Sequence, residues 1–222
     1  MENSQPLIPQ QSAPASSQPQ APTPEPNKAR AFFAAMKSIS GTLALFIIAP
    51  IFALFLTAHV FQPYEVDGAS METTLQNADR LIVYKLPKTL SNLTGNELSL
   101  NRWDVIVFDR PTDLSAPEST EHLIKRVIAL PGERVKINNG KVVVFNQENP
   151  DGFNPDQGQS YTDGFSTTSG TVDITVGQGE VFVLGDNREN STDSRVFGSI
   201  PKDIVVGRAT ARFVPINAMK QL

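Results

Sequence analysis

Hydrophobic positions along this chain fall into three regimes, and each predicts a different kind of structure. Up to about residue 27 they show no period. Seven prolines and five glutamines stand among Ser and Ala there, a composition that cannot bury enough apolar surface to offset the entropy of ordering. Residues 1–30 therefore read as a disordered Pro/Gln-rich tail. The second regime is continuous apolarity. Between Ser38 and Gln62 there is no Asp, Glu, Lys or Arg, and Ile39–Phe61 is dominated by Leu, Ile, Phe and Ala. Those 23 residues make roughly 34 Å of helix, against about 30 Å of hydrocarbon in a bilayer. A buried core helix of that length would carry a polar stripe. A cleaved secretory peptide would have an apolar run of about 7–15 residues close to the N-terminus, and this run starts far from it. One uncleaved transmembrane helix is predicted within residues 31–61, basic flank included, with a kink at Pro50.

The third regime begins after Phe61, where short Val-, Ile- and Phe-rich runs alternate with turn formers. Strands are expected at Arg80–Tyr84, Asp104–Phe108, His122–Leu130, Arg134–Ile137, Lys141–Phe145, Glu180–Leu184 and Ile204–Phe213. Asn138-Asn139-Gly140 marks a tight hairpin, because its turn needs positive φ, and Pro131-Gly132 marks another turn. Residues 146–170 read as a long polar surface loop. No helix longer than two turns is expected beyond Phe61. The fold class is thus mainly β: a barrel- or sandwich-like ectodomain at residues 62–222, behind one transmembrane helix and a disordered tail.

Charge orients this arrangement. Lys28, Arg30 and Lys37 precede the span, whereas Glu65 and Asp67 follow it. The positive-inside rule puts the N-terminus in the cytoplasm and the ectodomain on the extracytoplasmic face. The whole chain carries a net charge of −4, which argues against a nucleic-acid partner. There is no cysteine and there are only two histidines, so disulfides, thiolate zinc sites, a cysteine nucleophile and a three-His metal site are all excluded. No cofactor or metal is expected. The chemistry is left to Ser, Thr, Lys, Tyr and carboxylates.

Three segments could carry it. Leu123–Leu130 is apolar on both alternating faces, as in a strand buried on both sides, yet Lys125 and Arg126 interrupt it. Either cation could snorkel or pair with a carboxylate. Lysine, unlike arginine, can also lose its proton when desolvated. An ordinary pKa of ~10.4 leaves roughly 0.04% free base at pH 7, so base catalysis needs a fall of about 2–3 units. The second segment is Gly68–Leu75, just past the membrane exit, in which Ser70 is a turn cap or a nucleophile. The third, Gly185–Gly198, is dense in turn formers and reads as a solvated loop. Within it, Asp193 and Arg195 stand two apart, so an extended backbone would pair them on one face.

Taken together these segments resemble the type I signal peptidase (leader peptidase) family of membrane-bound serine proteases. Ser70-Met71-Glu72-Thr73-Thr74-Leu75 is similar to the family's Ser-Met-x-Pro-Thr-Leu. Lys125-Arg126, the apolar run after it and Pro131-Gly132-Glu133 resemble its Lys-Arg box ending in Pro-Gly-Asp. Residues 185–198 fit Gly-Asp-Asn-Arg-x-Asn-Ser-x-Asp-Ser-Arg-x-x-Gly throughout, and Arg102–Phe108 resembles a fourth box. The resemblance implies Ser70 as nucleophile, Lys125 as general base, the Ser70 backbone N–H as an oxyanion donor and Ser191 as the group that hydrogen-bonds and orients the lysine amine. It gives Asp193 and Arg195 a structural role, holding the strand that carries the site. Three departures stand out. Thr73 replaces the family's proline, Glu133 replaces aspartate, and Gly68 lacks the serine hydroxyl that serves some members as second oxyanion donor. His122, three residues from Lys125, should lie on the opposite strand face and serve packing or the surface.

The expected function is removal of N-terminal signal peptides from exported precursors after small, Ala-x-Ala-like residues. The partners are those precursors and the lipid bilayer, and the setting is a bacterial plasma membrane or a thylakoid. Two rivals stand beside it. A self-cleaving repressor protease with the same dyad would lack the anchor and carry a DNA-binding domain. A membrane-tethered β domain that only binds partners would leave Ser70 and Lys125 idle.

Overall fold

The computed structural model describes residues 28–111, 120–162, 167–215 and 219–222, with side chains in the first helix described from Ala44 onward. The expected disordered tail lies almost wholly outside the described residues. The first helix, α1, runs Lys28–His59 and contains Pro50. Its large described side chains, among them Phe46, Ile48, Ile51, Phe52 and Leu54, are exposed. Among the described residues no helix is long and apolar enough to cross a membrane; the described side chains of α1 extend only from Ala44 to His59. The compact unit that holds the strands begins at Pro50, so the last turns of α1 belong with the β domain.

Among the described residues, eleven antiparallel strands and two further α-helices build that domain. They are β1 (Phe61–Glu65), β2 (Arg80–Tyr84), α2 (Leu86–Thr94), β3 (Val105–Pro111), β4 (Thr120–Ala129), β5 (Arg134–Asn138), β6 (Lys141–Phe145), β7 (Val172–Thr175), β8 (Glu180–Leu184), α3 (Ser194–Phe197), β9 (Ile200–Pro201), β10 (Val205–Val214) and β11 (Lys220–Gln221). The main sheet has the order β1-β2-β10-β3-β4-β8-β9, with β11 on β10, and a smaller sheet has the order β6-β5-β7. All seven expected strands are present, three of them at the expected ends. The four missed are short or carry weak signals. In β1, Pro63 interrupts the run, which an edge strand tolerates because its missing N–H leaves no internal ladder bond unmade.

The helix α2 is longer than expected, nine residues, with Pro87 in its first turn and Gly95 closing it at φ 71°. Proline at the start and a left-handed glycine at the end are sound boundary signals. The apolar face between them is buried nowhere, so no core pattern announced the helix. The predicted hairpin is in place: β5 and β6 pair from Asn138↔Lys141 outward, and Asn139 and Gly140 have φ of 50° and 77°. Two successive positive φ values make the primed turn that matches strand twist.

Three apolar clusters fill the domain. Ile106, Phe108, Val127, Val183 and Val205 form one, and Ile128, Val135, Val144, Phe182 and Leu184 a second, joining the two sheets. The third gathers Val66, Met71, Leu75, Leu81 and Val105. The segment 146–170 is not a plain surface insertion, as expected, but partly a buried lining. Phe153 bridges to Val144, the Trp103 indole N–H donates to the Pro155 carbonyl at 2.9 Å, and Tyr161 and Thr168 are buried.

The edges of the main sheet position the site. Strand β4 pairs with β3 along Thr120–Arg126 but with β8 only from Arg126 onward. Its N-terminal half therefore has a free edge, and β1 is free on the side away from β2. The sheet curls until these two edges approach: the rings of Tyr64 on β1 and His122 on β4 meet edge to face at 5.3 Å. The expected two-sided burial of the lysine strand holds only for its C-terminal half, from Lys125 onward.

Candidate active site

The turn that carries Ser70 is held from beneath. Met71 and Leu75 are fully buried in the third cluster, and the Thr74 and Leu75 N–H groups donate back to the Met71 carbonyl. Just before it, Gly68 has φ 98° and donates its N–H to Asn77 Oδ1 at 2.9 Å. Only glycine takes that left-handed backbone without strain. Thr73, which replaces the usual proline, donates its hydroxyl to the Tyr161 carbonyl at 3.0 Å. A hydrogen bond thus fastens the turn where a ring would have stiffened it.

Lys125 reaches this turn from β4. Its Nζ lies 2.8 Å from Ser70 Oγ and 2.8 Å from the Ile124 carbonyl. The residue is 2% exposed. Burial lowers its pKa from 10.5 to about 8, against the upward pull of the Asp193, Glu121 and Asp186 carboxylates. Desolvation outweighs three attractive charges because none of them is bonded to the amine. An amine with a pKa near 8 is about a tenth neutral at pH 7, hundreds of times the fraction of an exposed lysine.

Arg126 does the opposite work on the other face of β4. Its guanidinium grips Asp186 at 2.8 and 2.6 Å, donates to the Trp103 carbonyl at 2.9 Å, and stacks 4.2 Å above the Tyr161 ring. Asp186 in turn accepts from Thr74 Oγ1 at 2.5 Å, and the Asn187 N–H donates to the Ser70 carbonyl at 3.0 Å. This buried pair therefore clamps the serine turn, the lysine strand and the segment after β8 to one another. Neighbouring lysine and arginine have divided the tasks by charge: one is buried without a bonded counter-charge and holds its proton less tightly, the other is paired with a buried carboxylate.

Residues 185–198 are not a solvated loop. Asp186, Asn187, Arg188, Asp193 and Ser194 are buried, and each buried charge has a partner. Arg188 forks onto Asp156 and also donates to Thr168 Oγ1 at 2.8 Å and the Gly185 carbonyl at 3.1 Å. Tyr161 lies between Arg126 and Arg188 and donates its hydroxyl to Asp156 Oδ1 at 2.9 Å. Asp193 and Arg195 do pair, at 2.7 Å through both carboxylate oxygens. Only Asp193 is extended, however, and the helix begins at the next residue. Asp193 caps α3, accepting the Arg195 N–H, while its second oxygen takes the Gly185 N–H at 3.0 Å. Arg195 holds the Arg188, Ser191 and Ser169 carbonyls. The pair thus braces the loop rather than a strand.

Ser191 differs from expectation too. Its hydroxyl is buried and has no hydrogen-bond partner among the described residues, and the amine's donors go to Ser70 and Ile124. It is nevertheless close to the site. A Cβ built on Gly185 would collide with the Ser191 hydroxyl and fall 2.5 Å from the Ser70 carbonyl oxygen, so only the bare glycine backbone separates them. Glu133 accepts from Arg102 Nη2 at 2.6 Å, from Asn146 and from the Leu130 N–H. Burial pushes its carboxyl upward, but those donors together hold it below its usual range.

Ser70 and Lys125 open into a cleft of about 190 Å³ between the two free edges, floored by Val66, Leu81, Val107 and Ile124. Larger concavities lie beside α2 but contain neither residue. His122 borders the cleft despite its alternation from Lys125. Its Nδ1 lies 2.6 Å from Asp109 Oδ1. Arg102 belongs to the segment that resembles a fourth family box, whereas Asp156 and Tyr161 carry no such signal; Tyr161 in a run of polar residues offers no more than an isolated aromatic. No group of three or more His, Asp or Glu side chains fit for a metal occurs among the described residues.

Comparison with known proteins gives the class first: a hydrolase of the peptidase kind. The family model described as "Signal peptidase, peptidase S26" matches residues 39–214. Signal peptidase I of Bacillus licheniformis is 30% identical over 88% of this chain and 95% of its own. The probable signal peptidase I-1 of a Synechocystis strain is 33% identical over 83% of this chain and 87% of its own. A crystal structure of a signal peptidase I from Enterococcus faecalis V583 overlaps at TM-score 0.38, with 26% identity, over 52% of this chain and all of that one; an overlap that small carries no argument about fold. The chain belongs to the signal peptidase S26 family and is, with it, a signal peptidase hydrolase.

Proposed function

We propose that this chain is a membrane-anchored serine endopeptidase that removes N-terminal signal peptides from exported precursors, with Ser70 as nucleophile and neutral Lys125 as general base. The observation that carries the reading is a desolvated amine 2.8 Å from a serine hydroxyl. The neutral amine takes the Ser70 proton as Oγ attacks the scissile carbonyl, and the resulting ammonium gives that proton to the leaving amine. The acyl-enzyme is then hydrolysed by a water that the same lysine deprotonates. The Ser70 N–H has no partner among the described residues and is the oxyanion donor. Gly68 offers no side chain, and its N–H is committed to Asn77, so the second donor comes from elsewhere. Ser191 keeps the orienting role that the family resemblance implies, its buried hydroxyl being unpartnered beside Gly185. Asp193 and Arg195 support the loop that carries it.

Substrate preference follows from the cleft. An extended segment can add to the free edges of β4 and β1, whose unpaired backbone groups supply the hydrogen bonds. A floor of Val, Leu and Ile under roughly 190 Å³ suits small apolar side chains before the cut. Tethering fits the same task, because anchored enzyme and anchored precursor search a surface rather than a volume. The apolar run at 39–61 and the exposed side chains of α1 support a single anchor. The basic flank supports a cytoplasmic N-terminus and an extracytoplasmic domain, in a bacterial plasma membrane or a thylakoid. The test is processing of a precursor by the full chain in vesicles. Ser70→Ala and Lys125→Ala abolish cleavage, while His122→Ala retains it; full activity of Ser70→Ala would end this mechanism.

A further inference from the structure

The exposed face of α2 has no role in the chemistry. Leu86, Leu90 and Leu93 recur at i, i+4 and i+7, one face of the helix, and Leu90 and Leu93 are 54% and 78% exposed. No residue of α2 is buried. What ties the helix down is the end of α1. The Lys85 N–H donates to the Val60 carbonyl at 2.7 Å, Lys85 Nζ to the Ala58 carbonyl at 3.3 Å, and Thr89 Oγ1 to the His59 carbonyl at 3.1 Å. The last carbonyls of a helix have no partner within it, and the start of α2 supplies theirs. Its far end stays close as well, since Leu93 lines one concavity with Ala58 and His59.

We infer that α2 is an interfacial helix that lies in the headgroup layer of the bilayer, with Leu90 and Leu93 inserted, and sets the height of the cleft above the membrane. This rests on the reading of α1 as the anchor. If α1 leaves the hydrocarbon at its last turn, groups bonded to that turn lie in a headgroup layer roughly 5–7 Å thick. Exposed leucines are stable there and unfavourable in water. The neighbouring rings suit the same layer: Phe61 and Tyr84 meet, tilted, at 5.4 Å where the chain leaves α1, and amphipathic aromatic rings are favoured at that depth. A peptidase whose substrates emerge from the bilayer needs its cleft at a fixed depth, and a second contact beside the anchor removes the freedom to tilt.

The chain has no cysteine, so Leu90→Cys, Leu93→Cys, Phe52→Cys and Lys136→Cys each provide a single labelling site. The full chain, labelled with an environment-sensitive fluorophore, goes into vesicles of phosphatidylcholine and phosphatidylglycerol carrying nitroxide lipids at shallow or deep positions. Shallow quenchers should quench labels at 90 and 93, deep quenchers the label at 52, and only aqueous iodide the label at 136. If 90 and 93 behave like 136 while 52 stays lipid-quenched, the interfacial helix is overturned and the anchor stands. If 52 also escapes lipid quenching, both fall. Self-quenching at 90 and 93 that grows with the protein-to-lipid ratio would assign the face to a second copy and overturn the inference. Leu90→Glu combined with Leu93→Glu should slow cleavage of a membrane-embedded precursor several-fold and leave hydrolysis of a short soluble peptide unchanged; equal loss on both substrates would count against it.

Discussion

At Lys125 the same burial that makes an amine reactive makes it costly to fold. Only the neutral form can accept the Ser70 proton, so the pH dependence of kcat/KM should rise through an apparent midpoint near 8 and level off above it. Lys125→Arg, which cannot deprotonate, should be inactive at every pH. Stability follows with a definite sign. The folded protein binds this proton more weakly than the unfolded chain, so between about 8 and 10.5 the unfolded state holds more protons and stability rises with pH. Below 8 the full penalty is present, about 3 kcal/mol for a shift of this size. Lys125→Met should therefore be inactive yet more stable than the parent at pH 7, by up to that amount in denaturant titration, with the advantage gone above the upper limit of the window.

Elements, rather than single residues, hold the two reacting groups in register, and two substitutions test how. Gly185 follows β8 directly, packed against Ser191 and the Ser70 carbonyl. In Gly185→Ala the new methyl meets both within 2.5 Å, and the serine turn must shift. We expect kcat to fall by orders of magnitude while the melting temperature changes by only a few degrees, since about 1 Å of misplacement is enough to cost roughly 100-fold. The Arg126–Asp186 pair tests the clamp. Breaking it as Asp186→Asn leaves a buried guanidinium without its counter-charge, for about 3–5 kcal/mol of lost stability, measurable in urea. Strand positions in this region were legible in advance because alternation and β-branched runs report a local period. The segments joining them were not. Residues 185–198 and 146–162 are rich in Asp, Asn, Arg and Gly, which suits solvent equally well, and only pairing between them, as of Arg188 with Asp156, buries part of each. Likewise α2 carried Pro87 and Gly95 as boundaries, yet no buried stripe between them.

For the molecule as a whole, the anchor and the catalytic domain should be separable in function. Removal of residues 1–49 leaves the compact unit beginning at Pro50. This truncated chain should cleave a short peptide as fast as the full chain and process a vesicle-embedded precursor much more slowly, because it must find its substrate in three dimensions. Equal rates on both substrates would show that tethering contributes nothing. By itself the sequence determined the apolar span, the mainly β character and the hairpin at Asn139-Gly140, and its short motifs marked Ser70 and Lys125 as candidates by resemblance, since each is written in a local period, a turn requirement or a short motif. Only the tertiary structure decided that Lys125 is dry and Arg126 is paired, that Asp193 caps a helix, that Ser191 stands unpartnered, and that two strand edges far apart in the sheet face each other across a cleft. Those outcomes depend on which groups from distant segments exclude water from one another, and no spacing along a chain encodes that.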